Sequence, residues 1–412
     1  MRQPRPEGRP RVVVAALAAL VAVAAALVVT RWATQTGSLI DTVVFRAAAH
    51  AVLEGRSPYH LRTEVPFVYP PAAVFAMLLA AAGPSVHVAA TIWAATSLAA
   101  LARTLWILVR AAWPSLDRGA AATRTCWVFA VACALEPTRI VLSFGQVGLL
   151  LLWLTVEGLG GQPGRTRRTW LVGVAAAIKL TPSVVLLGLA AAGRWRSALW
   201  AVVGAVASFA AAAVVAPAAA RDYVGGAWRL ARDVNDAPDV LNHSLIGVST
   251  LLGLPGWGGL LLAVAALVSG VTTTALLWRR GDELAGVATV LVTGLLASPV
   301  SWGHHWVASY PALVLVLREL GTRRRGAAAL LGTALVGMLV GTETLALRGG
   351  DLLAPGSFWS TTLQEWYLAW GVAFLCWAAV PLVVRGAPST PTTEPDGATS
   401  EPRRSPRPAA RR

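Results

Sequence analysis

Long apolar runs alternate with short polar segments along nearly the whole chain, and the length of each run predicts the element it forms. Residues 12–30 carry no charge and are long enough to span a bilayer, which takes about 20 apolar residues. They follow a basic stretch, Met1–Arg11, and end Val-Val-Thr-Arg-Trp without a small-residue cleavage pattern, so a retained first span is expected rather than a removed signal peptide. Residues 86–109, 198–215, 260–278, 284–300, 307–317, 327–345 and 362–384 read as further crossings, whereas 125–135 and 148–159 are shorter than ideal. Residues 72–83 are too short to span and read as a half-span or re-entrant helix. Residues 170–192 have arginines on both flanks, Arg165–Arg168 and Arg194–Arg196, which predicts two half-helices meeting near Lys179-Leu180-Thr181-Pro182 with both outer ends on one side. Between Ile40 and Val52 the pattern changes: Ile40, Val43, Val44, Ala47, Ala51 and Val52 recur at helical spacing and leave Arg46 and His50 on the other side. That predicts an amphipathic helix along the bilayer surface, broken by Gly55-Arg56-Ser57-Pro58. The expected fold is an all-α integral membrane bundle of about ten full spans plus broken or re-entrant helices.

Composition excludes a soluble globule, because 56% hydrophobic residues and a mean hydropathy of +0.61 leave too little polar surface. A net charge of +15 would suit a nucleic-acid partner, but the arginines sit between apolar runs and in the tails, which is the positive-inside pattern. That pattern places both termini in the cytoplasm and the segment 31–71 outside. The chain divides into a basic cytoplasmic start at 1–11, a transmembrane unit at 12–385 and a Pro-, Thr-, Ser- and Arg-rich disordered tail at 386–412. Cys126, Cys133 and Cys376 all lie in apolar runs without metal-ligand spacing, so neither a disulfide, a metal centre nor a cofactor is expected.

Only 13% of the residues are charged, yet the segment 40–71 gathers Asp41, Arg46, His50, Glu54, Arg56, His60, Arg62 and Glu64. Sorting by predicted side brings Asp41, Arg46, His50, Glu54, His243, His304 and His305, with Lys179 and Arg139, toward one outer region. A carboxylate at that boundary can take a proton from a hydroxyl, while Lys, Arg and His can neutralise a phosphate without a metal. Each residue also has a plainer role open to it. Ser38-Leu39-Ile40-Asp41 fits a capping box, His304-His305 between tryptophans fits an interfacial anchor, and Gln146 and His243 each fit a helix start. Lys179 could pair structurally with Glu157 or a carbonyl. A lipid flippase or transporter would show broken helices too, but the ionisable residues cluster on one outer face and no inverted repeat is visible.

The ordered set Asp41-x-x-x-Phe45-Arg46-Ala47-Ala48, Gly55-Arg56-Ser57-Pro58-Tyr59, Phe67-Val68-Tyr69-Pro70-Pro71, Gly145-Gln146, Lys179-Leu180-Thr181-Pro182, Asn242-His243-Ser244-Leu245 and Ser298-Pro299-Val300-Ser301-Trp302-Gly303-His304-His305 resembles glycosyltransferase family 87. These are polyprenyl-phosphate-mannose-dependent α-(1→2)-mannosyltransferases of bacterial envelope glycolipid synthesis. The resemblance covers about residues 10–385. It implies a GT-C fold with an extracytoplasmic catalytic loop, and transfer of a hexose with inversion from a polyprenyl-phosphate-linked donor to a glycolipid or glycan acceptor. By that resemblance Asp41 is the general base, and Lys179, His243, His304, His305, Arg46, Trp302, Tyr69 and Gln146 line the donor-phosphate or substrate pocket. Another sugar, such as a pentofuranose, stays open. Phe45 departs from the family, which often has Tyr there.

Overall fold

The computed structural model describes residues 8–160, 166–230, 241–341 and 365–384. Most of the basic amino-terminal stretch, Arg165, residues 342–364 and the tail at 386–412 lie outside the described residues. Every regular element described is helical: α1 Gly8–Thr36, α2 Ile40–Leu53, α3 Ala73–Ala81, α4 Val86–Ala112, α5 Arg118–Ala134, α6 Glu136–Phe144, α7 Gly148–Leu159, α8 Trp170–Ile178, α9 Val184–Ala191, α10 Trp195–Val215, α11 Pro217–Asp222, α12 Leu245–Leu251, α13 Gly256–Arg279, α14 Glu283–Ala297, α15 Tyr310–Gly321, α16 Ala327–Val340 and α17 Trp366–Val384.

Short polar residues start several of these helices. Ser85, Asp117, Ser244 and Asp282 each accept a first-turn backbone N–H of α4, α5, α12 and α14, satisfying donors that the helix itself leaves over. Four helices are long and apolar enough to cross a membrane, within Val12–Thr36, Val86–Ala112, Trp195–Val215 and Gly256–Arg279. The pair α5 and α6, bent by 67°, makes a fifth if it is one broken span. Other runs counted toward the ten form helices of 10–17 residues, among them α7, α14 and α16. The protein is a membrane protein, all-helical among the described residues.

Residues 170–192 break at the expected Lys179-Leu180-Thr181-Pro182. Helix α8 ends at Ile178, Lys179 is extended at φ −149 and ψ 135, and a 3-10 turn at Thr181–Ser183 leads into α9. The short helix expected at 72–83 is α3. Helix α2 forms with the expected ends, but its buried face differs from the one read from spacing. Phe45, Ala48 and Ala49 are fully buried with Val44, Ala51 and Val52, while Val43 is 43% exposed. In a segment this apolar nearly any stripe satisfies helical spacing, and the partner decides which one is covered. Here the partner is an aromatic core of Phe67, Tyr69 and Trp93 with Met77 of α3.

Arginines close the basic helix ends. Glu157 of α7 pairs with Arg103 of α4 at 2.8 Å and with Arg168 at 3.0 Å. Arg194 pairs with Glu283 at 2.7 Å, and Arg318 reaches Asp282. Arg279 donates to the Ala191 carbonyl at the end of α9, Arg280 to Pro381, and Arg324 to Trp377. These contacts tie the ends of α4, α7, α9, α13, α14 and α17 together and leave the site residues at the other helix ends.

Candidate active site

The site is built where α6 ends against the start of α2. Leu39 donates its backbone N–H to the Ser143 carbonyl at 2.9 Å and turns the chain through a left-handed φ of 51. Gly145 ends α6 at φ 83, and a Cβ there would sit 1.9 Å from Thr42 Oγ1, so only glycine lets the two helices meet so closely. That contact sets the next residue, Gln146, beside Asp41.

Gln146 Nε2 donates to Asp41 Oδ2 at 2.7 Å, and Tyr69 donates its hydroxyl to Gln146 Oε1 at 2.9 Å. The Gln146 carbonyl accepts from Trp93 Nε1 at 3.2 Å, and its N–H donates to Val141 at 2.8 Å. Tyr59 in turn donates to the Tyr69 carbonyl at 2.7 Å. Helix α2 has no side-chain cap, so Asp41 is turned to Gln146 and not to the free N–H groups of its own helix. Burial pushes the Asp41 carboxyl up to about 6, against the opposing pull of the Gln146 hydrogen bond and the Lys179 charge.

Lys179 and the two imidazoles come from two further breaks in helical structure. Lys179, extended between α8 and α9, places Nζ 2.8 Å from His305 Nε2 and 5.5 Å from the centre of the Tyr69 ring. Glu157, its alternative partner, is held by Arg103 and Arg168 instead. Trp302 donates its backbone N–H to His305 Nδ1 at 3.1 Å, which fixes the ring. His304 packs edge-on against His305 at 4.2 Å and is 2% exposed, and neither of its ring nitrogens has a hydrogen-bond partner among the described residues. Burial, reinforced by the Lys179 charge, holds both imidazoles well below the usual histidine range, so they are neutral at pH 7.

Asp41, Tyr69, Gln146, Lys179, Trp302, His304 and His305 all line one cavity of about 1210 Å³. Its other walls include Leu180, Val184, Leu186, Leu187 and Leu267 from α9 and α13 with the break before them. The volume exceeds that of a pocket for one small ligand, roughly 300–1,000 Å³. A carboxylate able to accept a proton thus faces the same space as a lysine and an imidazole with free nitrogens. Among the described residues no three His, Cys, Asp or Glu side chains converge as metal ligands.

Two expected pocket residues lie elsewhere. Arg46 donates to the Ala80 and Gly83 carbonyls and closes the end of α3. His243 is fully buried with its ring 5.0 Å from that of Tyr367. Its neighbour Asn242 does more for the site: its amide accepts from Ser301 N at 2.9 Å and donates to the Pro299 carbonyl at 2.9 Å, clamping the strand-like stretch that leads to Trp302. Arg139 reaches toward the Leu339 carbonyl at 3.4 Å, and Glu54 pairs with Arg56 in an exposed turn. Phe45, where a Tyr was expected, is fully buried, 5.2 Å from Tyr69 and 5.6 Å from Trp93, and does not line the cavity. Trp93 itself was not singled out from the sequence, since a tryptophan inside a long apolar run carries no signal beyond burial.

Fold and site together define a membrane protein in which a buried carboxylate, a lysine and two neutral imidazoles line one large, partly apolar cavity. The chain belongs to glycosyltransferase family 87, whose sequence profile it matches over residues 67–300, and it is therefore a glycosyltransferase. It is 31% identical over 390 residues to a polyprenol-phosphate-mannose-dependent alpha-(1-2)-phosphatidylinositol mannoside mannosyltransferase of Mycobacterium tuberculosis, covering 86% of each chain. A Mycolicibacterium smegmatis protein of the same description is 30% identical over 397 residues, 88% of this chain and 87% of that one. A phosphatidylinositol pentamannoside mannosyltransferase of Mycobacterium tuberculosis is 31% identical over 315 residues, 74% of this chain and 69% of that one.

Proposed function

We propose that this protein transfers a mannosyl group from polyprenyl-phosphate mannose to a membrane glycolipid, at the extracytoplasmic face of the plasma membrane, with Asp41 as general base. One observation carries the reading. The cavity that holds the Asp41 carboxylate is also lined by His304, with both buried nitrogens unpartnered among the described residues, and by Lys179. Buried polar groups are normally satisfied, so an unpartnered imidazole in the wall of a cavity points to a ligand as the source of the missing bond.

In this mechanism an acceptor hydroxyl gives its proton to Asp41 as its oxygen attacks the anomeric carbon. The bond from that carbon to the phosphate oxygen breaks on the opposite side, so the centre inverts and prenyl phosphate leaves with the bonding pair. The leaving group gains one negative charge as Asp41 loses one. Lys179, held by His305, and the N–H group of neutral His304 stabilise that charge in a low-dielectric setting. The apolar wall from Leu180 to Leu187 with Leu267 suits the first isoprene units of the donor, which would enter sideways from the bilayer.

The fold assigned is of GT-C type, with the shorter apolar helices completing a bundle of about ten spans around this cavity. The arginine-closed helix ends support a cytoplasmic position for their side and an outer one for the site. Incubating the purified protein in detergent with prenyl-phosphate mannose and a phosphatidylinositol mannoside, and measuring prenyl phosphate release, tests the reading. Release with the mannose donor, and none with a prenyl-phosphate pentofuranose, is expected. The opposite preference would overturn the choice of sugar.

A further inference from the structure

We propose that Gln146 is a positioning residue that acts through Asp41: it holds one carboxylate oxygen, leaves the other for the acceptor hydroxyl, and is itself held in that orientation by Tyr69. This rests on the reading of Asp41 as general base and assigns Gln146 a role other than contact with substrate.

An aspartate has a rotatable carboxyl group, and a base at a solvent-accessible wall is effective only if one oxygen is presented steadily to the hydroxyl it serves. Here Asp41 Oδ2 is occupied by the Gln146 amide at 2.7 Å. A primary amide presents either its N–H₂ or its oxygen to a neighbour, and the oxygen would repel a carboxylate. The ionised carboxylate accepts only, so it selects the N–H₂, and the Tyr69 hydroxyl, donating to Oε1 at 2.9 Å, holds the amide in that orientation. Tyr69 is in turn fixed by the Tyr59 hydroxyl on its carbonyl and by Phe45 against its ring. The result is a chain from Tyr59 through Tyr69 and Gln146 to Asp41, with Gln146 only 5% exposed.

The backbone of Gln146 is fastened separately, by Val141 and Trp93. Its side chain is therefore not needed to hold the loop, and removing the amide leaves those bonds in place. The amide donor stabilises the ionised form of Asp41 against the cost of burial, so its loss makes the carboxylate easier to protonate. Other titratable groups facing Asp41 are Lys179, at the break between α8 and α9, and Tyr69 itself; His304 and His305 line the same cavity from the turn after Trp302.

The test is the pH dependence of kcat/KM for mannosyl transfer by the full chain in detergent, with prenyl-phosphate mannose and phosphatidylinositol mannoside as substrates. In Gln146→Leu the acid limb should move up by about one pH unit, with kcat reduced about tenfold and the donor KM unchanged. Tyr69→Phe should move the limb in the same direction by less, and should move it no further in the Gln146→Leu background, since Tyr69 acts only by orienting the amide. Gln146→Glu keeps the shape but sets a second carboxyl against Asp41, and should raise the limb further than Leu does. It carries the test if Gln146→Leu does not fold. An unmoved limb with a raised donor KM would overturn the proposal and make Gln146 a substrate contact. Asp41→Asn, run alongside, separates the failures: if it transfers at near wild-type rate the general-base reading itself is wrong. If it is inactive while the Gln146 limb stays put, only the positioning role falls.

Discussion

Gly145 and Thr42 meet at a separation that no side chain on the glycine would permit: a Cβ there would lie 1.9 Å from Thr42 Oγ1 and 3.0 Å from the Thr42 backbone nitrogen. This contact holds the end of α6 on the first turn of α2 and so places Gln146 beside Asp41. Gly145→Ala would add a steric clash to a left-handed φ of 83, itself worth roughly 1–2 kcal/mol for a non-glycine residue. The expected result is a lower thermal midpoint together with at least about a tenfold loss of transfer, because the amide and carboxylate are moved apart. Wild-type transfer by a stable Gly145→Ala protein would show that the helix contact does not set the site.

Asp41→Asn separates a structural aspartate from a reacting one. Burial raises the folded-state value of this carboxyl to about 6 from 3.8, so the fold binds its proton more tightly than the unfolded chain does. The ionised form therefore costs stability, and that cost grows as pH rises from about 4 through 6. Asparagine carries no charge to desolvate and can still accept from Gln146. The variant should be as thermally stable as the wild type at pH 7.5, or more so, while sugar transfer falls by about 10² to 10⁴. A marked loss of stability with transfer retained would contradict both halves of the argument.

Acid should switch the enzyme off through the same group. Below about pH 6 Asp41 is protonated and cannot accept the acceptor's proton, so log kcat/KM should fall with a slope near one per pH unit on the acid side. Asp41→Glu, if active, should keep a limb at a shifted midpoint. A flat profile down to pH 5 would exclude a carboxylate of this kind as the base.

Lys179→Ala should weaken the donor more than the acceptor. Taking a cation from a low-dielectric pocket leaves phosphate charge uncompensated, and loss of about 2–3 kcal/mol of phosphate interaction would raise the apparent donor KM by roughly 30- to 150-fold. Insertion into the membrane should be unaffected. An unchanged donor KM would return Lys179 to the role of a structural partner for His305.

Sidedness is open to single-cysteine labelling at exposed positions. Cysteines replacing Arg56 and Arg62, in the loop after α2, should react with an impermeant reagent from outside, and those replacing Arg167 and Arg323 only after permeabilisation. Labelling of both sets from one side would put the arginine-closed helix ends and the site on the same face.

Much of this was legible in the sequence, and for identifiable reasons. The break at Lys179 could be read because arginines on both flanks of 170–192 argue against one uninterrupted span. The ordered motifs brought Asp41, Tyr69, Gln146, Lys179, Trp302, His304 and His305 together because each stands at a loop or helix end, where polar residues in an apolar chain are conspicuous. Arg46 was not placed correctly by spacing, since the carbonyls of Ala80 and Gly83 that it satisfies are far along the chain and helix-end carbonyls leave no mark in a sequence. The same blindness hid the Asn242 clamp, which joins residues that lie 57 and 59 positions apart. The face of α2 was ambiguous for a different reason: with few polar positions to exclude, only the aromatic partner of Phe45 selects it.

The arginines that close the helix ends also have a bearing on how the chain reaches the membrane. Arg279, Arg280 and Arg324 are the charges a translocation machinery reads when it decides which way a span is threaded, and each is spent in the finished protein on a carbonyl at the end of α9 or within α17. Threading instructions and terminal bonds are thus written in the same side chains. Reversing or deleting those charges to redirect insertion would at the same moment remove bonds that hold α9 and α17.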